Sequence, residues 1–173
     1  MKTQNIIIFV TVCLLSAASQ VSADARSDAE SLKDDGNKQY EKGNIDEAIE
    51  LFREAIATDS TYAFAHNNLG IALYEKGDYQ GSADQIGIAG ALDSTYITAY
   101  NNRGNALYAL GEYERAGECY ARSIELQPDV AQKYINLGNT FYARGMYDEA
   151  IAEMEKALEI DSISPEAYNN LGA

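Results

Sequence analysis

The chain has 173 residues, 46% of them hydrophobic, with 13 basic against 27 acidic side chains and a formal net charge of −14. That length allows one domain of ordinary size plus a short leader, and the hydrophobic content is that of a globular chain rather than a disordered one. The acidic excess excludes a phosphate-binding surface, because nucleic-acid affinity rests on clustered Lys and Arg and no such cluster occurs; the charge reads as a solvated exterior.

Residues 1–23 differ from everything after them. Lys2 opens a short polar stretch, Ile6 to Leu15 is largely apolar, and Val21-Ser22-Ala23 supplies small residues before Asp24. This pattern predicts a secretory signal peptide, and with it export to a periplasm or the extracellular space. The apolar run falls short of the ~20 residues a membrane-spanning helix needs, so no stable membrane insertion is expected once the leader is cleaved. Cys13 follows the branched Val12, where a lipoprotein signal would place a small residue, and lipid attachment is not expected. Residues 24–28 read as a short linker. Cleavage after Ala23 leaves Cys119 as the sole cysteine, so an internal disulfide is ruled out and stability must come from packing.

From Ala29 the chain repeats. Glycine returns every 34 residues at Gly36, Gly70, Gly104, Gly138 and Gly172, and a second set, Gly43, Gly77, Gly111 and Gly145, follows the first four. A tyrosine precedes each of the second set by three residues: Tyr40, Tyr74, Tyr108 and Tyr142. The units run 29–62, 63–96, 97–130 and 131–164, with 165–173 as the first half of a fifth. In the third unit Tyr100, Leu107 and Tyr108 mark a first helix, Gly111-Glu112-Tyr113 the turn, and Ala116, Tyr120 and Ile124 a second helix. The small residues Gly104, Ala116 and Ser123 let the helix backbones approach. Each unit is therefore expected to be a helical hairpin stacked on its neighbours. Gly81, Gly87 and Gly90 mark the second helix of unit two as the weakest, each costing up to ~1 kcal/mol against alanine, unless they permit tight packing.

The fourth unit carries Tyr134, Leu137-Gly138, Phe141-Tyr142, Gly145, Ala150, Met154 and Ala157 in order, with Ser162 in place of the proline that Pro128 supplies in the third. In this it resembles the tetratricopeptide repeat family. The resemblance implies an all-α, right-handed superhelical solenoid of antiparallel helix hairpins, whose first helices line a concave groove where extended peptides commonly bind. It further implies a non-catalytic protein–protein interaction module, an adaptor or scaffold holding a peptide or helix in that groove. The alternative is a substrate-recruiting arm of a larger exported enzyme, since such arrays often precede a catalytic domain and this sequence stops mid-repeat. Self-association through that open end is a further expectation. The residues themselves hold no phosphate loop, no paired metal motif, no GxSxG elbow and no histidine placed to serve a nucleophile, so neither catalysis nor a cofactor is expected.

By the same resemblance, Asn68, Asn102, Asn136 and Asn170 form a file along the groove, with Asp34 in the first unit. An amide offers both a donor and an acceptor, so the file could pair with peptide bonds whatever the ligand's side chains. Asn37, Asn105 and Asn139 flank it on one side, and Asn67, Asn101 and Asn169 on the other. A structural role, bonding neighbouring backbone across the seam between repeats, stays open beside ligand contact. Lys33, Asn37 and Asn68 match part of the carboxylate clamp with which some family members grip chaperone C-termini, but Thr98 and Asn102 stand where its two basic residues would be, which argues against it. The four tyrosines before the turns read as packed core more readily than as groove lining. His66 and Cys119 fall on packing faces without companion ligands and are expected to be structural.

Overall fold

The structure, a computed structural model, describes residues 2–172, with side chains from Ser22 to Gly172. The expected leader therefore lies largely outside the residues whose side chains are described, Cys13 included. The elements are α1 (Lys2–Glu41), α2 (Ile45–Thr58), α3 (Ala63–Glu75), α4 (Tyr79–Leu92), α5 (Ile97–Ala109), α6 (Tyr113–Leu126), α7 (Ala131–Ala143), α8 (Tyr147–Ile160) and α9 (Pro165–Leu171). No strand occurs among the described residues, and each helix packs on the next in the chain, which makes a solenoid. Residues 24–28, expected as a linker, are helical within α1: Ala25, Arg26 and Ala29 lack any helix-breaking signal, and Arg26 is tied to the first hairpin by its 2.5 Å bond to Asp59.

The second glycine set makes the hairpin turns. Gly43, Gly77, Gly111 and Gly145 have φ of 82°, 81°, 78° and 77°, the left-handed region where a Cβ is strained. In the last of these, Gly145 N–H donates to the Tyr142 carbonyl and Met146 N–H to the Phe141 carbonyl, both at 2.9 Å. This is the Schellman closure, which satisfies carbonyls orphaned at the helix end. Three of the four returns use an acidic residue instead, the third having Gln127 at that place. Asp59 and Asp93 each accept the backbone N–H of the threonine two residues on, at 2.9 Å, and Asp161 accepts that of Ile163 at 3.2 Å. The Thr95 hydroxyl and N–H together hold the Asp93 carboxyl below the usual carboxylate range.

The first glycine set is demanded by packing. A Cβ on Gly36, Gly70 or Gly104 would lie 2.5, 2.3 or 2.5 Å from the side chain of Phe52, Ile86 or Tyr120 respectively. One large residue of each second helix thus lies on the bare backbone of the first. Phe52, Ile86, Tyr120 and Met154 are all buried, and each contributes on the order of 2 kcal/mol by leaving water. Around them Ala48, Ala116 and Ala150, and Ala55, Ala89 and Ala157, keep the helices close.

Helix α4 has the same 14 residues as α2, α6 and α8 despite its three interior glycines. Each glycine faces something that needs the room. A Cβ on Gly81 would lie 2.4 Å from the carboxylate of its own N-cap, Asp78; one on Gly87 would lie 3.1 Å from the Arg103 guanidinium; and Gly90 faces the Tyr100 ring at 3.7 Å.

Candidate functional site: the inner face of the array

The first helices of successive units touch one another, α1 with α3 and α3 with α5, which makes their side the inner face of the array. The asparagine file lies here and links those helices into a ladder. Asn68 Nδ2 donates to Asn37 Oδ1 at 2.8 Å, Asn102 Nδ2 to Asn67 Oδ1 at 3.2 Å, Asn136 Nδ2 to Asn101 Oδ1 at 3.3 Å and Asn170 Nδ2 to Asn139 Oδ1 at 3.0 Å. The seam partners are thus side-chain amides of the preceding first helix, not backbone. Asn105 accepts the phenol of Tyr120 at 2.8 Å, and Asn136 Oδ1 also takes an N–H from Gln132 at 3.1 Å.

This geometry constrains what the file can offer. A side-chain amide carries two N–H donors and two acceptor lone pairs. Each file member commits one donor to the seam and retains the capacity for further bonds. Asn68, Asn102, Asn136 and Asn170 are all half-buried, with an edge still reaching solvent. The seam bond fixes their orientation, so a ligand meeting them would find amides already ordered.

Of the turn tyrosines, Tyr40 and Tyr74 are half-buried, whereas Tyr108 and Tyr142 are 37% and 50% exposed. The expectation of packed core fails for the latter two. Each sits in the last turn of its helix and stacks against the tyrosine opening the next: Tyr108 on Tyr113 at 5.1 Å and Tyr142 on Tyr147 at 5.4 Å between ring centroids, both edge-on. Such a pair covers one side of the ring and leaves the rest free. A cavity of about 160 Å³ between α3, α5 and α7 is lined by Tyr74, Tyr108, Tyr120 and three asparagines, Asn105, Asn136 and Asn139. From α5 onward the face is built of amides and phenols, without a charged side chain lining this cavity.

The other end of the inner face differs. Lys33 is half-buried and bonded to its neighbour Asp34, and Lys38 lies 2.8 Å from Asp35. Burial opposes the Lys33 charge, yet the Asp34 bond leaves its ammonium above the usual range. Asn37 gives its oxygen to Asn68. Of the clamp-like residues Lys33 is thus engaged with Asp34 and Asn37 with Asn68, and no cation stands at Thr98 or Asn102.

His66 is buried and bonded at both ring nitrogens: Nε2 to the Ser60 carbonyl at 3.1 Å and Nδ1 to the Gln85 side-chain amide at 3.0 Å. A backbone carbonyl only accepts, so Nε2 carries the hydrogen, and Nδ1 of the neutral ring then accepts from Gln85 with the amide turned to present its NH2. It ties α3 to α4. Cys119 is a free thiol, 8% exposed in the cluster with Ala116, Tyr120 and Leu137, and burial pushes its pKa up, away from nucleophilic use. Among the described residues no group of histidine, cysteine and carboxylates is placed to hold a metal ion, and no helix is long and apolar enough to cross a membrane.

Two family models match the chain, one described as tetratricopeptide repeat over residues 95–163 and one as TPR repeat over residues 36–77. A crystal structure of MamA protein aligns at 30% identity over 82% of this chain and 77% of its own, with a TM-score of 0.75. The chain belongs to the tetratricopeptide repeat family. A second MamA crystal structure matches this array at 29% identity over 84% of both chains, with a TM-score of 0.76. The first tetratricopeptide domain of Spaghetti (RPAP3), bound to the HSP90 peptide SRMEEVD, matches at 28% identity over 69% of this chain and 94% of its own, with a TM-score of 0.67. No curated protein matches.

Two cations set into the repeat escaped sequence reading. Arg103 stands where units two, four and five carry Leu69, Leu137 and Leu171, and Lys133 stands where Ala65, Ala99 and Ala167 stand. The signal was a break in the repeat at a core position, visible on aligning the units column by column.

Proposed function

We propose that this tetratricopeptide array is a non-catalytic protein-interaction module that holds a peptide, extended or helical, along its inner face, with the α5–α9 half as the principal contact. The observation that carries this is the ladder of half-buried, pre-oriented amides at Asn102, Asn136 and Asn170, flanked by the exposed rings of Tyr108 and Tyr142. Amides read peptide bonds, and phenols cover apolar side chains while offering a hydroxyl. The likeness to an RPAP3 domain bound to a peptide supports the mode of binding. The missing cations at Thr98 and Asn102 argue that an acidic tail is not the ligand, because the protein already carries a net charge of −14.

The same reading includes export through the leader at residues 1–23, tested by the N-terminal sequence and location of the protein recovered from expressing cells. A start at Asp24 outside the cytoplasm supports it, and retention of Met1 in the cytoplasm sinks it. Self-association is a second reading, supported by Tyr147, Ile151, Ile163 and Tyr168, which are 59%, 45%, 82% and 56% exposed near the end of the array. A concentration-independent monomer mass would dismiss it.

The test of the peptide groove is a pull-down from exported extract with the wild type beside a double variant, Tyr108→Ala with Tyr142→Ala, and beside Asn102→Ala. The exposed tyrosines can be removed without opening the core, and circular dichroism checks each fold. Proteins captured by the wild type and lost by both folded variants support the groove. Equal capture by all three removes the inner face from consideration.

A further inference from the structure

Around α5 from the asparagines, the seam between α4 and α5 breaks the repeat at two facing positions. At the other seams the second helix supplies Ile56, Ile124 or Leu158, and the following first helix supplies Leu69, Leu137 or Leu171. At this seam the same two places hold Gly90 and Arg103. Two branched side chains are absent, and a cavity of about 220 Å³ stands there, with Ile86, Ala99 and Tyr100 on its walls and the exposed Ala91 at its rim. Gly87 holds it open as well, since a Cβ there would press on the Arg103 guanidinium at 3.1 Å.

Arg103 is unlike the other arginines. Arg26, Arg53, Arg115, Arg122 and Arg144 each pair with a carboxylate. Among the described residues Arg103 makes no ion pair, and its Nε is out of contact with solvent and without a hydrogen-bond partner. A guanidinium stays charged at any physiological pH, so its donors cannot be silenced by deprotonation. In a chain with 27 acidic residues, none of the residues lining the cavity is acidic. Arg122, its guanidinium 5.9 Å from the Tyr100 ring centroid, is offset by Glu125 at 2.8 Å, which leaves Arg103 as the cation of the cavity.

We infer that the α4–α5 cavity is a carboxylate-binding site, in which Arg103 takes the carboxylate and the space left by Gly90 takes a small apolar body attached to it. The assignment is independent of the inner face, because it uses neither the asparagine file nor the exposed tyrosines. A cation facing an apolar slot of this size suits a short aliphatic acid, whether free or at the end of a polypeptide.

The probes are propionate, propionamide, and acetyl-Ala-Ala as the free acid or the C-terminal amide, added to the full chain while the Arg103 Nε–Hε signal is followed by nitrogen-15 NMR. Propionate is expected to shift that signal saturably in the millimolar range, and propionamide is not. Gly90→Ile, which restores the residue type of the other seams and should fold, is expected to weaken the response about tenfold, and Arg103→Gln to abolish the propionate-dependent change in melting temperature. A tighter response to acetyl-Ala-Ala acid than to propionate identifies a chain terminus as the source, and the reverse order a free acid. No saturable response to either acid, an equal response to propionamide, or an undiminished response in Gly90→Ile overturns the site.

Discussion

Two seams of this array each admit a cation where the repeat asks for an apolar or small residue, and they treat it in opposite ways. At the α6–α7 seam Lys133 is buried, and its ammonium donates to the Ser123 carbonyl at 3.0 Å and to the Gln127 carbonyl and side-chain oxygen, both at 3.1 Å. The acceptors lie in the last turn of α6 and on its C-cap, at the negative end of the helix dipole; the Ser123 carbonyl, which also takes the Gln127 N–H at 3.1 Å, uses its second lone pair for the lysine. Ile124 and Leu137 still fill the rest of that seam. At the α4–α5 seam Arg103 meets no carbonyl, and Gly90 leaves its surroundings open. One buried cation closes a helix end and stabilises the stack; the other stands ready for something from outside. A charge in a repeat core is structural or functional according to whether the neighbouring helix end reaches it.

The largest effect tests the filled side of α5 against its open side. Gly104→Ala would set a Cβ 2.5 Å from the Tyr120 ring, and overpacking of this kind costs about 3 kcal/mol; urea denaturation followed by circular dichroism should show the midpoint falling sharply. An unchanged midpoint would mean that Tyr120 moves freely and that the helices are less tightly seated than described. Next comes Lys133→Met, which keeps the stem and removes the three donated bonds. Loss of these charge-assisted bonds costs about 2 kcal/mol, and an effect near zero would erase the contrast between the two seams.

On the open side the sign reverses. Gly90→Ala places its Cβ in ordinary contact with Tyr100 at 3.7 Å and gains helix propensity, so the same denaturation experiment should report a stabilisation of about 0.5–1 kcal/mol. Destabilisation there would show the seam to be already full. The smallest expected effect is in pH. Burial holds the Lys133 ammonium below the ordinary lysine range, with Asp129 opposing weakly. The unfolded chain therefore binds more protons between the folded value and the unfolded one near ~10.4, so stability from this group rises with pH across that window. The cost of Lys133→Met should then grow from neutrality toward alkaline pH, by less than ~1 kcal/mol. A flat cost would place the lysine in a solvated setting, and one that shrinks would mean that its carbonyl bonds outweigh burial and hold the ammonium above that range.

Much of this was legible before any coordinate. The glycines with positive φ sit at the four turn positions marked by their spacing after tyrosine, because a left-handed turn and a close helix contact are local demands that only one residue type meets well. His66 and Cys119 fell on packing faces as their periodicity indicated. The asparagine file was legible as a file, but its seam partners were not. Asn68 bonds a residue 31 places back and Asn102 one 35 places back, a choice between two neighbouring amides that the shared spacing cannot make. The exposure of Tyr108 and Tyr142 escaped as well, since Tyr74 shares their place in the repeat and their ring contact across the turn yet is half-buried.

The sequence by itself determined the unit, its two helices, its turns and the family, because a 34-residue period is written in each repeat separately and needs no knowledge of its neighbours. Only the tertiary structure decided what the departures do. Arg103 and Lys133 are both cations set into a repeat core, and their fates differ because one meets glycines and an open slot while the other meets a helix end. That difference belongs to the pairing of two helices from adjacent units, where the reach to a helix-end carbonyl, and not the residue type, sets the outcome.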